Sequence, residues 1–122
     1  MKDLFTIEFD FLGRNIKLQV MTYDNSKAVN DFFETEKPKN ILCFFTTYND
    51  VDYVVLHDSV YNQPYCYTHE FLHATHKILR GHFCIEDDEA ECYMLGYLVQ
   101  TYYDFLYTQI KTQEELNNDT TN

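Results

Sequence analysis

His69-Glu70-Phe71-Leu72-His73 is an HExxH pattern, and its chemistry follows from its spacing. Two histidines four residues apart lie on one face of a helix, one turn above the other. Their imidazoles can meet a single divalent cation, while Glu70 stands about 100° round the helix from His69 by the same geometry. In such a site the intervening glutamate does not bind the ion. It holds a proton-transfer position beside a water on the metal. A catalytic zinc takes three protein ligands and leaves its fourth place to water. The pattern therefore asks for one more ligand from outside its own helix.

Few side chains can supply it. A short loop, His82–Glu86, separates the HExxH helix from a second helix capped by Asp87 or Asp88, so the two are antiparallel neighbours. Glu89 and Glu91 both stand in the first turn of that second helix. On a helical wheel Glu89, Tyr93, Gly96 and Gln100 share a face, with Glu91 about 200° away from Glu89. Gly96 leaves room for a neighbouring helix, which favours the Glu89 face as the inner one and Glu89 as the third ligand. Glu91 stays open as the alternative. His76, three residues past His73 on the same face, is a rim residue, a partner of a ligand or a substitute ligand. His57, Tyr67 and Tyr93 are candidates for a donor opposite the ion. His82 reads as a solvated loop residue. The acidic cluster Glu86–Glu91 is first a helix-start signal, and the stripe Tyr93, Tyr97, Tyr103, Tyr107 is mostly packing material.

The elements that must position these groups are legible in the periodicities. Phe5, Ile7, Phe9 and Phe11 alternate with Thr6, Glu8 and Asp10, a half-buried strand. After the turn residues Leu12-Gly13-Arg14-Asn15, Ile16, Leu18 and Val20 alternate again and return the hairpin. Asn25-Ser26 caps a short helix over Lys27–Glu36, which Pro38 closes. The apolar run Ile41–Phe45 suits a central strand, Tyr48-Asn49-Asp50 turns the chain, and Val51–His57 pairs with it. The period then changes. Thr68 caps the HExxH helix, which runs to Leu79 or Arg80 with Gly81 at the exit. The second helix continues to about Ile110. The expected fold is α+β: a small antiparallel sheet of about four strands, built from two hairpins, followed by the HExxH helix and a second long helix. One domain spans residues 1–113. Residues 1–60 are mainly sheet with a short helix, residues 65–111 form the two helices with the metal site, and 114–122 are a flexible tail.

Composition narrows the partners. The 122 residues carry a formal charge of -11, which argues against nucleic acid and against an anionic membrane surface. No apolar run reaches the roughly 18 residues of a membrane span. Met1-Lys2-Asp3-Leu4 opens directly into alternating sequence without the apolar block of a signal peptide, so the expected location is the cytoplasm. Cys43, Cys66, Cys84 and Cys92 show no CxxC spacing and read as free thiols. With eleven Tyr, ten Phe and no Trp, the core leans on phenol and phenyl rings.

His69-Glu70-Phe71-Leu72-His73 together with Asp87-Asp88-Glu89-Ala90-Glu91-Cys92-Tyr93-Met94-Leu95-Gly96-Tyr97 resembles small phage-encoded zincin-like proteins of the gluzincin type, over roughly residues 65–105. Those carry HExxH followed by a segment of the type D-E-x-x-x-Y-x-x-G. The resemblance implies a minimal zincin-like fold in the host cytoplasm or the virion. It implies His69, His73 and Glu89 as zinc ligands, Glu70 as catalytic base, and Val51–His57 as an edge strand along which a peptide lies. The larger peptidases have a second helical subdomain that this chain lacks. Two functions follow as expectations. One is a zinc-dependent metallopeptidase acting on a peptide or protein substrate. The other is a non-catalytic zincin-like protein with a structural zinc, a virion component or a binder of a host protein through its sheet edge or acidic surface.

Overall fold

The computed structural model describes residues 1–34 and 41–120. The first alternating stretch forms β1 (Lys2–Phe11) and the second β2 (Arg14–Tyr23), paired antiparallel with Phe11 opposite Arg14. Leu12 and Gly13 between them take φ of 48° and 80°. That double left-handed turn matches the twist of a two-residue hairpin, and glycine supplies half of it without strain. Asn25 caps α1 (Ser26–Phe33), its Oδ1 accepting from the Ala28 amide at 2.9 Å. The expected end of this helix at Glu36 and its closure by Pro38 lie outside the described residues. The second hairpin joins β3 (Cys43–Tyr48) to β4 (Val51–His57) through Asn49 and Asp50, again both at positive φ.

The two hairpins join differently from the expectation. Strand order is β1-β2-β4-β3, and β2 pairs with β4 in parallel, so the four-stranded sheet is mixed and not antiparallel. The physical reason lies in Val54, Val55 and Leu56, which are fully buried although neighbouring side chains point to opposite faces. A strand apolar on both faces needs cover on both sides and cannot sit at an edge. β4 is therefore interior. The edge role passes to β3, whose Thr46 and Thr47 tolerate water; this reverses the expected places of Val51–His57 and of the Ile41–Phe45 run.

Two layers of side chains fill the sheet's faces. On one, Ile7, Ile16, Leu18, Val20, Val54 and Leu56 meet helices α2 and α3. On the other, Val55, Tyr23 and the rings of Phe44, Tyr48 and Tyr53 receive Val29 and Phe33 of α1. Helix α2 (Pro64–His76) starts four residues before the expected cap at Thr68. Pro64 occupies its first position, where the missing N–H would have had no partner and the fixed φ is already helical. The helix then widens into a π-helical extension, Lys77–His82. Lys77 Cδ lies 3.2 Å from where a β-carbon of Gly81 would stand, so the glycine leaves room for the lysine stem.

Helix α3 (Asp88–Thr120) begins where expected, with the Ala90 amide donating to Asp87 Oδ1 at 2.9 Å. It runs antiparallel to α2: Glu91 stands opposite Arg80 and His76, and Tyr102 packs against Tyr67 and Phe71. Phe5 stacks on Phe105 at 4.3 Å and Phe9 meets Tyr97 edge-on, so α3 lies over β1. The helix does not stop near Ile110. Residues 114–120 continue it as a helical overhang, with residues 111–118 exposed. Among the described residues no helix is long and apolar enough to cross a membrane.

This division of labour is measurable in urea titrations. Phe71, fully buried between the layers, should lose about 3–5 kcal/mol of stability on truncation to alanine. Leu116→Ala, on the overhang, should change it by no more than about 0.5 kcal/mol.

Candidate functional site

The phase of α2 is set by its apolar residues. Tyr67, Phe71, Ala74 and Ile78 recur at helical spacing and are buried. Glu70, one residue before Phe71, is thereby drawn to the margin of the seam and is only 4% exposed. His69 and His73 fall on the outer side, with the His69 side chain 65% exposed. Their Nε2 atoms approach to 3.3 Å, and Glu70 Oε1 lies 3.8 Å from His69 Nε2. The motif residues thus come together as helical spacing requires.

The surroundings of Glu70 come from the sheet. The Cys43 thiol, on edge strand β3, stands beside its carboxylate. Burial pushes the Glu70 carboxyl above its usual range, against the opposing pull of His69, His73 and that thiol. Burial also pushes Cys43 up to about 12, reinforced by the neighbouring Glu70 and Cys66. A hollow of about 380 Å³ opens beside the pair, walled by Ile41, Leu42 and Cys43 from the β3 side and by Tyr65, Cys66, His69 and Glu70 from α2.

The other predicted residues lie elsewhere. Glu91 is three residues before Met94 and seven before Leu98, both buried, so it occupies the inner face of α3. Its carboxylate accepts from Arg80 at 2.7 and 2.9 Å and lies 3.5 Å from His76 Nε2. The wheel reading that made Glu89, Tyr93, Gly96 and Gln100 the inner face is overturned. All four are exposed, because Met94, Leu98, Tyr102 and Leu106 claim the opposite side. Among the described residues, no three His, Cys, Asp or Glu side chains gather closely enough to hold a metal ion, so neither carboxylate stands with His69 and His73. His76 is tied to Glu91 instead of to the other two imidazoles.

Of the three suggested donors, none lines the hollow. Tyr67 is buried against Tyr102, Tyr93 projects from the outer face of α3, and His57 at the end of β4 engages Ser59 Oγ at 2.8 Å. Tyr65 does line it, a residue the sequence reading passed over. Its signal was present: Tyr65, His69 and His73 follow one another at four-residue steps, one helix face.

His82 was expected to be solvated. It ends the π-helical extension, half-buried, with Nε2 at 3.4 Å from Asp52 Oδ2. Asp52, 8% exposed at the start of β4, also accepts from Thr47 at 2.6 Å and has Lys77 Nζ at 3.9 Å. These contacts join the end of α2 to the β3–β4 hairpin, as a buried carboxylate needs hydrogen bonds and a cation.

No protein-family model, no curated protein and no solved structure matches this chain.

Two expectations test the site without a metal. Exposed Cys84 and Cys92 should react rapidly with Ellman's reagent at pH 8, buried Cys66 only after denaturation, and half-buried Cys43 slowly, because its raised pKa leaves little thiolate. The Glu70 carboxyl has a higher pKa folded than its ordinary value of 4.5, so its contribution to stability is present below that value and lost as pH rises through the folded one. In metal-stripped protein Glu70→Gln should therefore raise the urea midpoint at pH 7, and the gain should shrink in titrations below the ordinary carboxyl pKa.

Proposed function

We propose that this chain is a small zinc-dependent hydrolase of peptide or amide bonds, acting in a reducing cytoplasm, with His69 and His73 as metal ligands and Glu70 as general base. The observation that carries the reading is the 3.3 Å approach of the two Nε2 atoms beside a buried carboxylate. Two nitrogens at zinc–nitrogen distances of 2.0–2.1 Å, subtending a tetrahedral angle, stand roughly 3.3 Å apart. The pair thus has the span that one ion requires, and neutral imidazoles with a carboxylate are a donor set suited to zinc. A third protein donor would have to come from the first turn of α3, although neither of its carboxylates stands with the two imidazoles in this structure. Glu91 faces α2 but is held by Arg80, whereas Glu89 is solvent-exposed.

Zinc, when bound, supplies Lewis acidity and lowers the pKa of a coordinated water to about 7. Glu70 takes a proton from the attacking water and returns it to the leaving amine. Its raised pKa, the result of burial, favours that uptake, and the Cys43 thiol stands beside the carboxylate. The Ile41–Cys43 wall of the hollow is largely apolar and receives a side chain of the substrate. A second reading has support from the openness of the site. His69 and His73 stand on an exposed face, a position compatible with a non-hydrolytic zincin-like protein that binds zinc and recognises a viral or host protein.

Elemental analysis of the zinc-loaded, untagged protein tests the ligands. About one zinc per chain is expected, lost in His69→Ala and His73→Ala. Loss in Glu91→Ala, with retention in Glu89→Ala, assigns the third ligand to the inner face of α3; the reverse assigns it to Glu89. Glu70→Gln should keep zinc and fold while lowering cleavage of a peptide library by at least about 100-fold. Full zinc without any cleavage by the parent chain leaves the binding reading.

A further inference from the structure

The seam between β3 and α2 holds two further reactive groups beside Glu70. Cys43 opens β3 and stands opposite Leu56 of β4. Cross-strand partners share a face of the sheet, and Leu56 is buried on the face that α2 and α3 cover. The Cys43 side chain is thereby directed at the helices. Cys66 and Glu70 are four residues apart on α2, hence on one side of that helix, and both are only 4% exposed. Cys43 stands beside both of them, and all three line the hollow of about 380 Å³. Two thiols from distant parts of the chain thus meet across the seam.

Their surroundings are unequal. Cys43 is half-buried where the hollow reaches it, whereas Cys66 is buried. A small oxidant such as hydrogen peroxide therefore meets Cys43 first, and Glu70 stands next to it as an acceptor for its proton. The Cys43 sulfur attacks one peroxide oxygen and the O–O bond breaks. The departing hydroxide takes up that proton as water and leaves a sulfenic acid on Cys43. The Cys66 sulfur then attacks the Cys43 sulfur as it loses its own proton. The S–O bond breaks, and the hydroxide and proton leave as a second water. Two thiols and one peroxide become one disulfide and two waters, and exchange with an added dithiol reverses the step. Burial keeps Cys43 largely protonated, so the first step is slow and requires sustained exposure.

We propose that Cys43 and Cys66 form a reversible disulfide under peroxide, a clamp that fixes edge strand β3 to α2 and narrows the hollow beside Glu70. In the reduced protein β3 is bonded to the sheet along β4 alone. The clamp ties its first residue to the helix as well. It closes a loop of roughly two dozen residues, which restricts the unfolded chain and raises stability. Cys84 and Cys92 are exposed and lie outside the seam. The clamp needs only the two thiols and does not rest on zinc.

The test uses the full chain carrying Cys84→Ser and Cys92→Ser, so that only the seam thiols remain. Both replaced side chains are exposed, so folding should be retained. The native protein is treated with hydrogen peroxide, digested without reducing agent and mapped by mass spectrometry. A peptide linking Cys43 to Cys66 is expected from monomeric protein, and dithiothreitol should remove it. Oxidation should raise the urea midpoint and slow hydrogen exchange at least about tenfold in the β3 amides that pair with β4. Adding Cys66→Ser should leave the sulfenic acid on Cys43 unresolved, where dimedone traps it. Absence of the linked peptide from native protein would overturn the proposal, as would linkage that forms only after denaturation or between two chains. So would unchanged exchange on β3 once the bond has formed.

Discussion

A carboxylate carried into an apolar seam between a helix and a sheet is the constraint around which this molecule is arranged. Taking Glu70 out of water costs free energy unless hydrogen bonds and nearby positive charge compensate. The helix cannot rotate to expose it, because Tyr67, Phe71, Ala74 and Ile78 hold the phase of α2 through their burial. Compensation comes from three places: the two imidazoles of its own helix and a thiol on the edge strand opposite. The arrangement makes Glu70 a better proton acceptor than a solvated glutamate. That burial also places it beside a hollow bordered by β3, so one packing decision produces both the pKa shift and the position for chemistry.

The mixed sheet follows from a second requirement, that β4 be covered on both faces and both sides. Val54 and Leu56 face the paired helices while Val55 faces α1, and β2 and β3 flank the strand. Placing β4 inside leaves β3 and β1 as the open edges. They differ in surroundings: β3 lies against α2 and the motif, whereas β1 lies against the outer aromatic residues of α3. The π-helical end of α2 ties the architecture together, since Lys77 and His82 both reach Asp52 at the base of β4.

Much of this was legible in the amino-acid sequence, for physical reasons that act locally. The alternation of Phe5, Ile7, Phe9 and Phe11 specifies a strand whatever lies next to it, and Leu12-Gly13 and Asn49-Asp50 specify tight turns. The Asn25 and Asp87 caps act on the next turn of their own helices. The four-residue step from His69 to His73 determined by itself that their imidazoles meet. The start of α2 lies at Pro64 and not at the expected Thr68 cap, because a proline in the first turn also opens a helix.

What only the tertiary structure decided is everything that depends on competition between distant groups. A helical wheel of α3 shows two opposite faces, and Gly96 alone does not choose between them. The combined burial of Met94, Leu98, Tyr102 and Leu106 made the choice, turning Glu91 inward and Glu89 out. Parallel pairing of β2 with β4, the Cys43 thiol on Glu70 and the Asp52–His82 contact join residues far apart in the chain. Helical spacing is a short-range property and so belongs to the sequence; the facing of a helix and the placing of a strand are settled by which arrangement removes the most apolar surface from water.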